Sequence, residues 1–281
     1  MIRGFGNPKI WACVALVLLF VASPTVFGQD HSDRGWLLPE SISDEGDAID
    51  NMFWLIFWLT GAVFLASEGA LVYFIVKYRA KEGGKALYTH GNHKVEVIWT
   101  IIPAVILLGL GVAQVDMWVT AKDPGVAPID DADAFEVHVL AKQFEWWFRY
   151  RGPDNKWNTD DDFVASRLVV PKGRPVIIRL RSIDVIHSLF LPELRFKQDA
   201  VPGLTMTGWF RARKAGQWEI ACAELCGASH YKMRGEYEIV EPADWSARYA
   251  KMLDDAGPVD YDNPTEFFRF WPIEEVATED G

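Results

Sequence analysis

The chain's tightest constraint is a pair of apolar runs too long and too oily for the surface of a water-soluble domain. Met52 to Val76 carries a single charge, Glu68, and Val95 to Val119 is of similar length, with Trp99 and Trp118 near its ends. Each reaches the roughly 20 residues a helix needs to cross a bilayer, and tryptophans favour the membrane interface. Residues 51–120 are therefore expected to form a two-helix transmembrane hairpin, because hydrocarbon leaves a lone segment no other way to pair its backbone groups. The connection holds Lys77, Arg79, Lys81, Lys85 and Lys94 against Glu82. A short basic loop stays in the cytoplasm, so both termini are expected on the periplasmic side of a bacterial cell membrane, with everything after Ala121 in an oxidising compartment.

Ahead of the hairpin, Arg3 and Lys9 precede an apolar stretch from Ile10 to Ala22, then small residues up to Gly28. Its core of about 13 residues is too short to span and reads as a secretory signal over 1–28. Residues 29–50 form a polar exported segment. From Ala134 onward, FEVHVLAKQFEWWFRY, SRLVVPKGRPVIIRLRS, GWFRARKAGQWEIAC and GEYEIV are rich in Val, Ile, Phe and Trp and are broken by turn residues. Such spacing predicts a small antiparallel sandwich or barrel over 121–241. In 242–281 DWSARYAKMLDDA predicts a short amphipathic helix, and an acidic, aromatic tail follows. The fold class is thus a membrane helical hairpin plus an all-β sandwich.

Lys and Arg number 28 against 39 Asp and Glu, a net charge of −11, and beyond Thr120 the balance is 20 against 28, or −8. Nucleic acid is excluded as a partner by that sign, and a basic protein is favoured. No CxxCH, GxxxxGK[ST] or HExxH occurs, which removes covalent haem attachment, a phosphate-binding loop and zinc-protease chemistry.

The chemistry concentrates in CAELCGASHYKM, Cys222 to Met233. Two thiolates, an imidazole and a thioether are soft ligands that suit copper. Zinc has little use for a thioether, and a mononuclear blue-copper site uses only one Cys. Two bridging thiolates, two imidazoles and two weak axial ligands would suit a copper pair sharing one electron. The second imidazole comes from elsewhere. His187 lies at the end of a predicted strand, and the competing His138 alternates with Val137 and Val139 and reads as structural. A Cys222–Cys226 disulfide is the bland alternative in this compartment, but it leaves His230 and Met233 at their offsets unexplained.

Together with VEVIWTIIP (Val95–Pro103) and SIDVIHSLFLPELRFKQDAVPG (Ser182–Gly203), that stretch closely resembles subunit II of haem-copper cytochrome c oxidases. The resemblance implies a cupredoxin fold with a dinuclear CuA centre. It makes Cys222 and Cys226 the bridges, His187 and His230 the terminal ligands, and Met233 and the carbonyl of Glu224 axial. It further implies that the Glu224 carboxylate reaches a Mg or Mn ion shared with subunit I. A hard oxygen ligand turned towards a hard cation is consistent with that. Glu96 resembles the residue at the cytoplasmic mouth of the K-channel proton path. Glu68 has no family role on this basis and is expected to make an interhelical hydrogen bond. The partners implied are subunit I, subunit III and a cytochrome c donor.

One departure stands out. Where much of the family has Gln-Trp at the electron uptake point, this chain has Gln143-Phe144, with Trp146 and Trp147 following. Electrons are therefore expected to enter through Phe144 or one of those tryptophans. The acids of 152–162 lack the ligand and glycine spacing of a calcium loop. Three rival functions have weaker support. A quinol oxidase subunit would have lost the copper ligands, and a membrane-anchored copper carrier would carry Met-rich runs. Nitrous oxide reductase needs more histidines for its second cluster.

Overall fold

The computed structural model describes residues 38–85, 88–123, 125–159 and 161–256. The expected signal over 1–28, residues 29–37 and the tail past 256 lie outside them. Among the described residues, two helices are long and apolar enough to cross a membrane. The first, α1 (Gly46–Lys77), begins several residues before Met52. Its polar first turns are held by the β domain: the Arg195 guanidinium grips Asp50 at 2.6 and 2.8 Å, and Arg213 grips Asp47 at 2.5 Å through both nitrogens. Asp47 in the first turn and Lys77 in the last also complement the helix dipole.

The second span is α2 (His93–Ala113), capped by Asn92, whose side chain accepts from the amides of Lys94 and Val95. The single helix expected to Val119 is interrupted at Gln114 and resumes as α3 (Val115–Lys122). There the chain meets the β domain: the Trp209 indole N–H donates to the Thr120 carbonyl at 3.0 Å. Along both spans the apolar side chains face outward, with none of the membrane-length windows buried. Water cannot be the solvent for such a surface; lipid and neighbouring helices can.

The β domain is a sandwich of two five-stranded sheets. One has the order β3 (Phe163–Ala165), β2 (Glu145–Tyr150), β1 (Phe135–Lys142), β5 (Pro175–Ser182), β8 (Met206–Arg211). The other runs β4 (Leu168–Pro171), β10 (Arg234–Val240), β9 (Gly216–Cys222), β6 (His187–Leu191), β7 (Phe196–Ala200). The sandwich matches expectation, but it is not wholly antiparallel. β1 pairs with β5, and β4 with β10, in parallel. Both pairs join strands far apart in sequence, which no local turn signal reveals.

Val137, Val139 and Ala141 of β1 face the core with Val176, Ile178 and Leu180 of β5, opposite Leu168, Leu189, Ile220 and Tyr237 of the second sheet. The other face of β1 is covered too. His138 stacks on Trp157 with ring centroids 3.8 Å apart, and Arg149, fully buried, pairs with Asp162 at 2.5 Å. The expected helix after Glu241 is α4 (Trp245–Ala256), whose Trp245, Tyr249, Met252 and Leu253 pack on the sandwich. Before α1, Ile42 is fully buried and exchanges backbone hydrogen bonds with Glu193 and Arg213.

Candidate metal centre

Three chain segments meet at one end of the second sheet. β5 ends at Ser182 because the next turn satisfies itself: the Asp184 carboxylate accepts from the amides of Gln143 and Val185, both at 2.6 Å. His187 therefore opens strand β6 instead of closing the strand before it, as the sequence had suggested. Antiparallel pairing of β6 with β9 sets Leu189 opposite Cys222. The chain leaves β9 at Cys222 and turns back through a 3-10 turn at His230–Lys232, and the Cys222 amide closes the loop on the Met233 carbonyl at 3.2 Å. Gly227 permits that return. Its φ of +131° disfavours a side chain, and a Cβ there would sit 2.7 Å from Gln143 Nε2 and 3.2 Å from the Phe144 ring.

The loop gathers soft donors. His187, Cys222 and Cys226 place their ligand atoms within 4.8 Å of one another. The two sulfurs are 3.9 Å apart as free thiols. Cys226 Sγ lies 3.5 Å from His230 Nδ1 and 3.6 Å from Met233 Sδ, and Cys222 Sγ lies 3.2 Å from the Glu224 carbonyl oxygen. His187 Nδ1 faces Met233 Sδ at 3.1 Å and Cys222 Sγ at 4.0 Å. A cystine needs its sulfurs about 2.05 Å apart. Two sulfurs that share metal ions through bonds of about 2.3 Å can stand anywhere below ~4.6 Å, so 3.9 Å fits bridging thiolates. His138 takes no part; it lies on the covered outer face of β1 against Glu136.

His187 is oriented from behind. Its Nε2 meets Asp184 Oδ1 at 2.8 Å, and a carboxylate only accepts, so the proton sits on Nε2 and Nδ1 presents its lone pair to the sulfurs. Burial works against the imidazolium, but hydrogen bonds to Cys222 and Asp184 outweigh it and raise the His187 pKa. Burial likewise opposes ionising Cys222, yet His187 and the nearby backbone amides bring its thiol down to about 6. Burial and the neighbouring Cys222 charge push Cys226 up to about 11. Without metal, one thiolate is favoured and the second resisted; a bound cation removes that conflict.

Around this cluster Met233 and Cys226 are buried, while Glu224, Leu225 and Tyr231 are exposed. The Glu224 carboxylate has no partner among the described residues. Of the proposed uptake rings, Phe144 packs on the loop beside Gly227, and the Gln143 amide donates to the Cys226 carbonyl. Trp146 is buried edge-on to His187, with centroids 6.1 Å apart. Strand alternation turns Trp147 to the opposite face, where the Lys142 ammonium sits 4.0 Å over its ring. Glu96 lies in the first turn of α2, 3.8 Å from His93. Glu68 is exposed on α1, and its expected interhelical hydrogen bond is absent among the described residues. Sequence reasoning passed over Asp184 and used Gln143 only to locate the uptake ring; for Asp184 the i, i+3 spacing from His187 was the available signal.

Residues 161–240 match the family described as cytochrome C oxidase subunit II, periplasmic domain, and residues 32–117 match its transmembrane domain. The alternative cytochrome c oxidase subunit 2 of Bradyrhizobium diazoefficiens is 32% identical over 270 residues, spanning 87% of this chain and 93% of that protein. Cytochrome c oxidase subunit 2 of Thermostichus vulcanus is 31% identical over 286 residues, 84% of this chain and 83% of the relative. Among solved structures, the periplasmic domain of subunit II of cytochrome oxidase from Bradyrhizobium japonicum is 27% identical. It covers 44% of this chain and 96% of its own, with a TM-score of 0.38.

Proposed function

The chain belongs to the cytochrome c oxidase subunit II family, and from that premise we propose that it takes electrons from a cytochrome c at a copper centre built on Cys222 and Cys226 and delivers them to haem in subunit I. It is the electron-transfer subunit of a haem-copper oxidase, a membrane protein with a periplasmic copper domain, and oxygen reduction lies in a partner subunit. The observation that carries the ligand assignment is the pair of sulfurs held 3.9 Å apart and flanked by two imidazoles and a thioether. Cys222, Cys226, His187, His230, Met233 and the Glu224 carbonyl would hold the copper pair, the imidazoles through the Nδ1 atoms that face the sulfurs. When bound, the copper pair supplies a one-electron carrier whose shared charge keeps structural change on transfer small.

The chain's own residues hold and wire that carrier. Asp184 keeps His187 in the ligating tautomer, and Gln143 ties the loop to the β1–β2 turn that carries Phe144. Phe144, at the loop, is the uptake ring we favour; Trp146 packs edge-on to His187, and Trp147, on the far face, contributes through strand packing. The excess of acid on the exported part, −8, steers a basic cytochrome c to that surface. The Glu224 carboxylate, exposed on the loop, would hold a Mg or Mn ion shared with subunit I, hard oxygen to hard cation. Glu96 at the head of α2 gathers protons for the catalytic subunit, with subunit III completing the membrane assembly. Both termini lie on the periplasmic side in this reading, because the short basic loop between the spans stays in the cytoplasm.

Copper analysis and spectroscopy of the purified complex test this reading. Two coppers per chain and a purple mixed-valence spectrum are expected, and both should be lost on Cys222→Ser or Cys226→Ser. A persistent spectrum in either variant would refute it.

A further inference from the structure

The strand that carries His187 also leads to the membrane. β6 passes through the 3-10 turn Pro192–Leu194 and returns as β7, with His187 opposite Ala200 and Leu191 opposite Phe196. The two ends of that ladder are about 13 Å apart at ~3.3 Å per residue. Arg195 stands at the far end, where its guanidinium holds both carboxylate oxygens of Asp50 in α1 and donates to the Pro192 carbonyl at 2.7 Å. The segment ahead of α1 is stitched to the same part of the sandwich. Ser43 Oγ donates to the Leu194 carbonyl at 2.8 Å and the Asp44 amide to that of Arg211 at 3.1 Å. The second span ends on β7 and β8 themselves: Trp209 of β8 meets Thr120, and the Lys122 ammonium donates to the Lys197 carbonyl of β7. Both spans are thus fastened to two edge strands and the turns beside them.

These fastenings differ in strength. The side chains of Arg195 and Asp50 are 8% and 22% exposed, whereas those of Arg213 and Asp47 are 38% and 59% exposed. A bidentate pair kept from water is strong and directional, while an exposed one is screened and contributes little. Asp50 therefore makes the firmest side-chain bond, among the described residues, between the hairpin and the strand pair that holds a copper ligand. Electron delivery exchanges no atoms: the copper pair is oxidised by one electron as haem in subunit I is reduced by one. What the chain can set is where its redox group stands, and misplacing a reacting partner by about 1 Å can cost on the order of 100-fold in rate. We propose that Asp50 is a positioning residue for this step, acting through Arg195 to hold the copper domain at a fixed height and angle on the membrane hairpin. The inference rests on the reading of the chain as an oxidase subunit. The intrachain pair, and not the partner's surface alone, determines the gap the electron crosses.

Asp50→Asn removes the charge and one acceptor while keeping the size of the side chain. In the full-length chain in detergent, without copper or partners, exchange of the Ile42 and Asp44 amides with deuterated solvent should rise about tenfold or more. In the purified oxidase the variant should keep its copper spectrum and the rate at which a photoexcited ruthenium complex reduces the copper. The following copper-to-haem step should slow about tenfold or more. Asp47→Asn, at the exposed pair, should leave all of these within about twofold. Asp50→Glu, which restores the charge, should recover at least part of the haem step. Unchanged amide exchange in Asp50→Asn overturns the proposal, as does an unchanged copper-to-haem rate, which would leave positioning to the partner subunit. Loss of the copper spectrum or of assembly with haem in Asp50→Asn would assign Asp50 a general structural role and overturns it too. If the wild-type complex held neither copper nor haem, the oxidase reading itself would fall, and the proposal with it.

Discussion

Replacing Asp184 with Asn should weaken copper binding without dismantling the loop. In the native protein Oδ1 accepts from His187 Nε2 at 2.8 Å and from the Val185 amide at 2.6 Å, while Oδ2 accepts from the Gln143 amide at 2.6 Å. An asparagine has one acceptor for these two sides. If its oxygen stays towards Gln143, its NH2 faces His187 and drives the imidazole proton to Nδ1, the atom that must ligate. If it turns the other way, the Gln143 amide loses its acceptor. That second outcome costs about 1 kcal/mol at this partly exposed position. Removing the hydrogen-bond partner of a metal-binding histidine generally lowers affinity about 10- to 100-fold, which is ~1.4–2.7 kcal/mol. Competition for copper against a chelator of known affinity measures the first quantity, and thermal melting of the copper-free protein measures the second. The reasoning fails if Asp184→Asn binds copper within about twofold of wild type while the melt is unchanged.

Acid should probe the covered face of β1. Burial holds the His138 imidazole down to about 4 from its usual 6.5, against the upward pull of Glu136. An unfolded chain takes up that proton near 6.5 and the folded one only near 4, so the stability contribution is complete above pH 6.5 and declines by about 3 kcal/mol as pH falls to 4. Melts of the detergent-solubilised protein should show this slope in wild type and lose it in His138→Gln; an equal slope in both would count against the assignment. At the metal loop, Gly227→Ala forces a Cβ to 2.7 Å from Gln143 Nε2 in a left-handed backbone. It should cost about 1–3 kcal/mol and reduce copper occupancy, whereas Gly109→Ala, with open space around it, should do neither. Melting temperature and copper content distinguish the two.

How far the sequence could be read depended on the distance between the residues involved. The ligand loop was visible because Cys222, Cys226, His230 and Met233 lie within one turn of chain, so their spacing alone encodes the cluster. Both spans and the sandwich were visible for a similar reason, since apolar runs and alternation are local patterns. The choice of His187 over His138 was only leaning until the β6–β9 pairing brought Leu189 opposite Cys222. Asp184 left only its i, i+3 spacing from His187, and the role of Gln143 and the parallel pairs β1–β5 and β4–β10 left no local trace.

The amino-acid order by itself therefore determined which side chains could bind copper, which segments belong to lipid, and that an exported β domain follows them. Only the tertiary structure decided that His187, with Asp184 behind it, and not His138 faces the thiols, that Phe144 and not Trp147 leans on the metal loop, and that the start of α1 is gripped by Arg195 and Arg213. Each of those outcomes is a contact between groups brought together by sheet register and loop return. Nothing in the pattern along a single strand specifies which distant strand it will meet.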